Sequence, residues 1–533
     1  AELGAGNNIV FGGGASVGVF AENAKVSFGS NLTFTNNNAN KNIYVYGKDS
    51  SVEINTGSTV KVDGVGIPTA AGTEGNKTVG IYIENAGTGS TFNSMGDLEV
   101  LNGAVGIYSK GNNNLNVNVT ATGDKTTGVF IDGASEITGT VTARGNAVGV
   151  YGSGGAVTVG AAGLTLNTDT ARGTGMYLTD GASAAGGTIT VNNTAAGTKN
   201  IGVYYSKGTA SGTVTNSSDI SLAGSESIGI YAADGINLVN NSDITSTAGK
   251  SENIGSYVGG GSQLTSAGTI TMNDSDSIGM YTEEGKGINS GNILMNGASS
   301  APNKSVVGMV AETQAGKTAA VENSGTISAG ANLGMYIGGL GTSSAKNAGT
   351  ITTTTGTGVY VEGTNAEFNG AGGTINLTGA GTGIVLDNTG AGKVTNAGTI
   401  TLAPSSVGVY GDNAKIDFPV TVNGTSGTGI YAENGSVVSG TINAGNSKDT
   451  VAVYLADNTA SVNGAEITAG GVTSTSSIGL YLGGTALTHT VGNSAINAPT
   501  SGTIGILTDN GNTINYSSTT NVGNGAIGMY LKG

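Results

Sequence analysis

A glycine returns along this chain at a nearly fixed interval. It falls at Gly18, Gly80, Gly106, Gly128, Gly149, Gly175, Gly202, Gly229, Gly255, Gly279, Gly308, Gly334, Gly358, Gly383, Gly408, Gly429, Gly479, Gly505 and Gly528. Asn42 and Ala452 read as fillers of the same register. That makes about 21 copies, spaced on average by about 25 residues, which is the signature of a stacked repeat rather than of separate globules. A second ladder runs out of phase with the first: SAGTIT at 266, NSGTIS at 323, and NAGTIT at 347 and 396. Its Ile270, Ile327, Ile351 and Ile400 recur once per copy.

No copy holds the 10 to 12 periodic residues that a helix needs, judged by the rough length rule for such patterns. Each copy holds short alternating runs of Val, Ile, Thr and Tyr, cut by Gly, Asn and Asp, which read as strands and turns. The expected fold is all-β: a single-stranded parallel β-helix, right-handed as parallel crossovers are, with about 21 coils of about 25 residues. Stacking at about 4.8 Å per coil would give a rod roughly 100 Å long. A β-propeller is the rival, but its blades take about 40 residues or more. Residues 1–533 read as one continuous segment, with insertions near 62–78 and 296–305.

Composition supports folding and narrows the partners. Gly supplies 97 positions but Pro only 5, and charged residues are 10%; a disordered chain is usually poorer in apolar residues and richer in net charge. The net charge of −15, with no basic cluster, disfavours nucleic acid. There is no Cys, so disulfides and thiolate metal sites are excluded. No apolar run approaches the roughly 18 residues of a membrane helix, and AELGAGNNIV lacks the features of a signal peptide, as a mature region or a fragment would.

Alternation assigns the faces. Ile228 and Ile230 flank Gly229 on one side, and Gly229 and Tyr231 share the other. The position after the glycine is apolar in every copy except at Ser256, which makes that side the core. Tyr then points outward, beside a glycine that clears room for its ring. The outward register collects Tyr44, Tyr82, Tyr108, Tyr151, Tyr177, Tyr204, Tyr231, Tyr257, Tyr281, Tyr336, Tyr360, Tyr410, Tyr431, Tyr454, Tyr481 and Tyr530, joined by Phe20 and Phe130. The next turns carry acids: Glu84, Asp132, Asp180, Asp234, Glu283, Glu362, Asp387, Asp412, Glu433, Asp457 and Asp509. Such a column serves stability if rings stack on rings. It serves binding if ring faces and carboxylates meet sugars or guanidinium groups. The candidate ligand-binding set is Tyr204, Tyr231, Asp234, Tyr257, Tyr281 and Glu283.

Catalytic signatures are thin. His489 is the only histidine, which excludes multi-histidine metal sites; in TALTHTV it shares a face with Leu487 and Val491 and reads as packed. The G-x-S-x-G pattern at Gly14–Gly18 falls on a repeat glycine instead of a strand–turn–helix elbow. Carboxylates stacked coil on coil would meet the roughly 5–9.5 Å spacing of glycosidase pairs, yet no break in the repeat gathers them with other catalytic groups. No cofactor, no metal and no enzyme activity are expected.

The repeated GIYAENG, GVYVEG, GMYIGG and NAGTIT segments resemble the passenger repeats of the large fusobacterial type V autotransporter adhesins, the arginine- and galactose-inhibitable outer-membrane proteins. The resemblance spans essentially the whole chain and carries over no individual binding residue. It implies a β-helical stalk displayed at the cell surface, held at the outer membrane only through a C-terminal β-barrel outside this chain. It also implies adhesion to partner bacteria and to host-cell glycans or surface receptors. The alternatives are a pure spacer within a longer adhesin and a polysaccharide-active β-helix enzyme.

Overall fold

The computed structural model describes residues 1–3, 11, 15–35, 42–64, 78–87, 89–168, 173–193, 200–301, 305–363, 365–387, 393–471 and 476–532. They form two compact units, Ala1–Asp274 and Ser275–Gly533, each a β-solenoid of parallel strands with no helix among the described residues. Ten strands carrying the repeated motif lie in the first unit and eleven in the second. Windings contained wholly within one unit therefore number about 19. Most of the 62–78 insertion lies outside the described residues, and its first positions, Val62 and Asp63, close the strand Thr59–Asp63. Of the 296–305 segment, the described part is tied to the coils on either side. Ser300 donates to Asp276, and Asn332 donates to the carbonyls of Met295 (3.1 Å) and Gly297 (2.9 Å).

One turn of the first unit shows the plan. The strand Ser227–Ala233 carries the motif, a turn follows, and two further legs, Asn237–Asn240 and Ile244–Ser246, form the facing sheet. In several coils the two legs are a single long strand, as in Asn113–Thr122 and Ser135–Arg144. Each leg pairs in parallel with its counterparts in neighbouring coils, so that Tyr204 opposes Tyr231 and Tyr231 opposes Tyr257. The corner after the motif strand is Asp234 and Gly235 at φ 58° and 72°; Asn434–Gly435 repeats it at 53° and 88°. Two successive left-handed residues favour Asp or Asn followed by Gly, which explains the recurrent turn chemistry.

The interior is a stack of aliphatic columns. Ile107, Val129, Val150, Met176, Val203 and Ile230 lie one above another, all fully buried. Each such side chain contributes about 1.5–3 kcal/mol on burial, and the benefit accrues between neighbouring coils.

The glycine of the motif faces this interior, which corrects the assignment made by alternation. Burial along Val79–Glu84 runs half-buried, buried, buried, half-buried, buried, half-buried. Gly80 and Ile81 thus both turn inward, and only from Ile81 onward does the alternation hold. A Cβ at Gly308 would lie 2.6 Å from the carbonyl oxygen of Gly334 and 2.8 Å from Cγ2 of Ile327. At Gly279 the same contacts are Gly308 O (2.6 Å) and Ile293 Cγ2 (2.8 Å); at Gly358 they are Gly383 O (2.6 Å) and Ile375 Cγ2 (2.8 Å). The glycine ladder therefore leaves space for the isoleucine ladder of the opposite sheet. The two periodicities of the sequence are the two sides of one contact.

The second coil shows the rule by exception. Here the register is Ile43–Tyr44–Val45–Tyr46, with Val45 opposite Ile81 and Tyr46 opposite Tyr82. Tyr44, not Asn42, stands at the glycine position, and Tyr46 belongs to the outer column. The Tyr44 ring is fully buried and stacks on Phe34 at 4.4 Å and against Phe11 at 4.8 Å. Burial pushes its phenol up to about 12.

A buried amide ladder runs at the corner between the two facing legs. In the first unit Asn216 Nδ2 donates to Asn240 Oδ1 (2.7 Å), and Asn240 Nδ2 to Ser266 Oγ (3.3 Å). In the second, Asn289 Nδ2 donates to Asn323 Oδ1 and Asn323 Nδ2 to Asn347 Oδ1, both at 2.8 Å. Asn323 and Asn347 are the leading residues of NSGTIS and NAGTIT, and the pairing satisfies buried amide N–H groups that water does not reach, while Asn289 Oδ1 at the ladder's start is left without a partner among the described residues.

Candidate functional site

Tyrosine rings outside the core form the column anticipated from the sequence, with Tyr46 in place of Tyr44. In the first unit the stack is unbroken from Phe20 through Tyr46, Tyr82, Tyr108, Phe130, Tyr151, Tyr177, Tyr204 and Tyr231 to Tyr257. Centroid separations run from 4.5 to 5.2 Å, with planes within 17° of parallel. The spacing is that of the coils themselves, so register alone places ring on ring. Offset-stacked pairs of this kind add about 0.5–1.5 kcal/mol each beyond their burial.

The hydroxyls are not free. Seven of them donate to a carboxylate carried by the following coil, just beyond that coil's own column position. Tyr108 donates to Asp132 (3.0 Å), Tyr336 to Glu362 (2.7 Å), Tyr360 to Asp387 (2.6 Å) and Tyr481 to Asp509 (2.8 Å). Tyr46 to Glu84 and Tyr410 to Glu433 repeat the arrangement. Burial first, then the Asp509 hydrogen bond, pushes the Tyr481 phenol up to about 12. The phenols of Tyr108, Tyr336 and Tyr360 rise for the same two reasons, and for Tyr410 the bond to Glu433 comes first. In return the Tyr46 hydroxyl, aided by Lys110 at 3.2 Å, holds the Glu84 carboxyl below the usual range.

The candidate ligand-binding residues are distributed as follows. Tyr204, Tyr231 and Tyr257 are successive rungs of the first unit, with centroids 5.0 and 4.5 Å apart. Asp234 receives Ser206 Oγ at 2.7 Å and the Tyr204 hydroxyl at 3.5 Å, so it serves the coil before its own. Both faces of Tyr204 and of Tyr231 are covered by neighbouring rings; a sugar or guanidinium group can meet them only at their edges. Tyr281 and Glu283 belong to the second unit. There Tyr281 donates to Glu312 (3.1 Å) and Glu283 accepts from Gln314 (3.1 Å). Glu312 is a column acid that the sequence reading missed, because the residue two before it is Val310 and not an aromatic.

The remaining acids divide between turn-making and ion pairing. Asp180 accepts the backbone N–H and the hydroxyl of Thr209, each at 2.8 Å, and these bonds hold its carboxyl below the ordinary range. Glu322 lies between Lys286 (2.9 Å) and Lys346 (3.2 Å), and the Lys286 contact is the main reason its carboxyl is depressed. His489 is fully buried, with Nε2 2.9 Å from the carbonyl oxygen of Gly483, in keeping with a packed residue. Among the described residues no group of three or more His, Asp or Glu side chains could hold a metal ion. No described helix is long and apolar enough to cross a membrane.

No known family model matches the chain, and no curated protein matches it.

Proposed function

We propose that this chain is a segment of a cell-surface adhesin that works by presenting contacts and not by catalysis. Its setting would be the bacterial outer membrane, with attachment to host-cell glycans or surface receptors and to partner bacteria. The observation that carries the reading is the way the column's carboxylates are used. Glu84, Asp132, Glu362, Asp387, Glu433 and Asp509 each accept a tyrosine hydroxyl from the preceding coil. Acids committed to joining coils serve a stalk better than they serve general acid–base chemistry, which needs a carboxyl free to exchange its proton with substrate. The resemblance of the repeats to autotransporter passengers supplies the cellular setting.

The purified chain is expected to bind bacterial or epithelial cells, with arginine or galactose competing. Absence of binding to every cell type tested would leave the spacer reading, which the covered ring faces of Tyr204 and Tyr231 favour. A reducing-end assay across a glycan panel addresses the enzyme alternative; new chain ends would overturn the non-catalytic reading.

A further inference from the structure

The second unit breaks its aromatic column at Val385. In register, Tyr360 opposes Val385 and Val385 opposes Tyr410. The outer faces of these two tyrosines are taken. Tyr360 stacks on Tyr336 at 6.0 Å and Tyr410 on Tyr431 at 5.7 Å, wider than any ring pair of the first unit's column. Their inner faces look at each other across a half-buried valine. Two coil spacings separate them, about 9.6 Å, so a group midway lies about 4.8 Å from each ring.

Carboxylates line the same opening. Glu362, Asp387 and Asp412 occupy one register position on three successive strands. Asp387 holds the Tyr360 hydroxyl at 2.6 Å and Asp412 accepts from Asn434 at 2.9 Å. None of the three forms an ion pair among the described residues, whereas Glu284, Glu322 and Glu367 in the same unit each have a lysine. The other two gaps differ: Val310 is only 4% exposed and offers no opening, and at Leu507 the register position of Asp509 is flanked by Gly483 and Lys532 in place of acids.

We infer that the Tyr360–Val385–Tyr410 slot is a binding site for a methylated ammonium group of the trimethylammonium class. The width selects for it. A flat group sandwiched at van der Waals contact would reach only one ring at a time. A roughly spherical quaternary ammonium touches both, within the distance of about 6 Å over which a ring face attracts a cation. The aliphatic floor of Val385 suits its methyl groups, and Glu362, Asp387 and Asp412 supply the countercharge. The site stands independently of the adhesion reading and survives its failure.

The test titrates tetramethylammonium, then choline, into the whole chain and follows tyrosine fluorescence, which no tryptophan obscures. Saturable binding is expected, weakened roughly tenfold or more when Val385→Tyr fills the slot and when Tyr410→Leu removes one wall. Val385→Tyr restores the motif of its neighbours, and circular dichroism with an unchanged unfolding profile in the other unit would verify that it folds. Three results would overturn the site: no saturable binding, equal binding by Val385→Tyr and the parent chain, or tighter binding of guanidinium than of tetramethylammonium.

Discussion

The first unit carries its aromatic stack without a gap, whereas the second interrupts it at Val310, Val385 and Leu507. Both nevertheless keep the same coil. The interior glycine, the facing branched aliphatic residue and the parallel registers persist where the tyrosine is gone: Gly308 faces Ile327 beside Val310, and Gly383 faces Ile400 beside Val385. The rings are therefore an addition to the coil and not its cause. Packing inside the solenoid fixes where each turn sits, and the column then forms wherever that spacing brings two aromatic residues together.

The comparison can be broken most severely at the shared core. Gly106→Val in the first unit and Gly308→Val in the second both drive a side chain into a neighbouring carbonyl and a facing aliphatic group. Each should cost about 3 kcal/mol, read as lost amide-exchange protection in the surrounding coils. A markedly milder effect in either unit would mean that the core is not common to both. Next in size, Asn323→Ala leaves the Asn289 amide only the long 3.3 Å bond to the Thr326 carbonyl and strands Oδ1 of Asn347, at about 2–3 kcal/mol. Asn240→Ala should cost about 1 kcal/mol less, since its bond to Ser266 Oγ is long at 3.3 Å and the Asn216 amide keeps the Ser218 carbonyl at 2.9 Å.

The column itself sharpens the contrast further. Tyr108 stacks on both sides, at 4.9 and 4.8 Å, whereas Tyr336 has Val310 on one side and Tyr360 at 6.0 Å on the other. Tyr108→Leu should cost about 2 kcal/mol and Tyr336→Leu about 1, the difference being one ring pair. Denaturant titration with exchange readout separates the two values; equal costs would show that stacking adds nothing. The smallest effect per coil is the alkaline one. The Tyr481 phenol is raised to about 12 in the folded chain, against roughly 10 when unfolded. Its stabilising share is complete below pH of about 10 and disappears as pH rises through about 12. Tyr481→Phe should flatten that loss in a pH series of unfolding midpoints.

Much of this was legible in the residues, and the failures have physical causes. The repeat, the strands and the outward tyrosines could be read because they depend on local spacing. Alternation failed at the glycine because Gly80 and Ile81 turn inward in succession; a strict period of two cannot represent that. Tyr44 and Tyr46 were confused because both fit an alternating run, and only Phe34 in the opposite sheet decides which ring goes in. Column acids could be placed near the rings, yet their true donors lie one coil back, 23 to 38 residues away in sequence. The amide ladder was present as the Asn of NSGTIS and NAGTIT, but an Asn beside Gly reads first as a turn former.

Because the phenols of Tyr46, Tyr108, Tyr281, Tyr336, Tyr360, Tyr410 and Tyr481 reach forward to an acid on the later coil, the stack has a direction. At these coils a chain winding from its amino-terminal end leaves its newest ring unlatched until the next turn arrives, and that arrival secures the turn before it. Growth then advances past these points as a ratchet, while unwinding from the carboxyl end must release a latch at each of them.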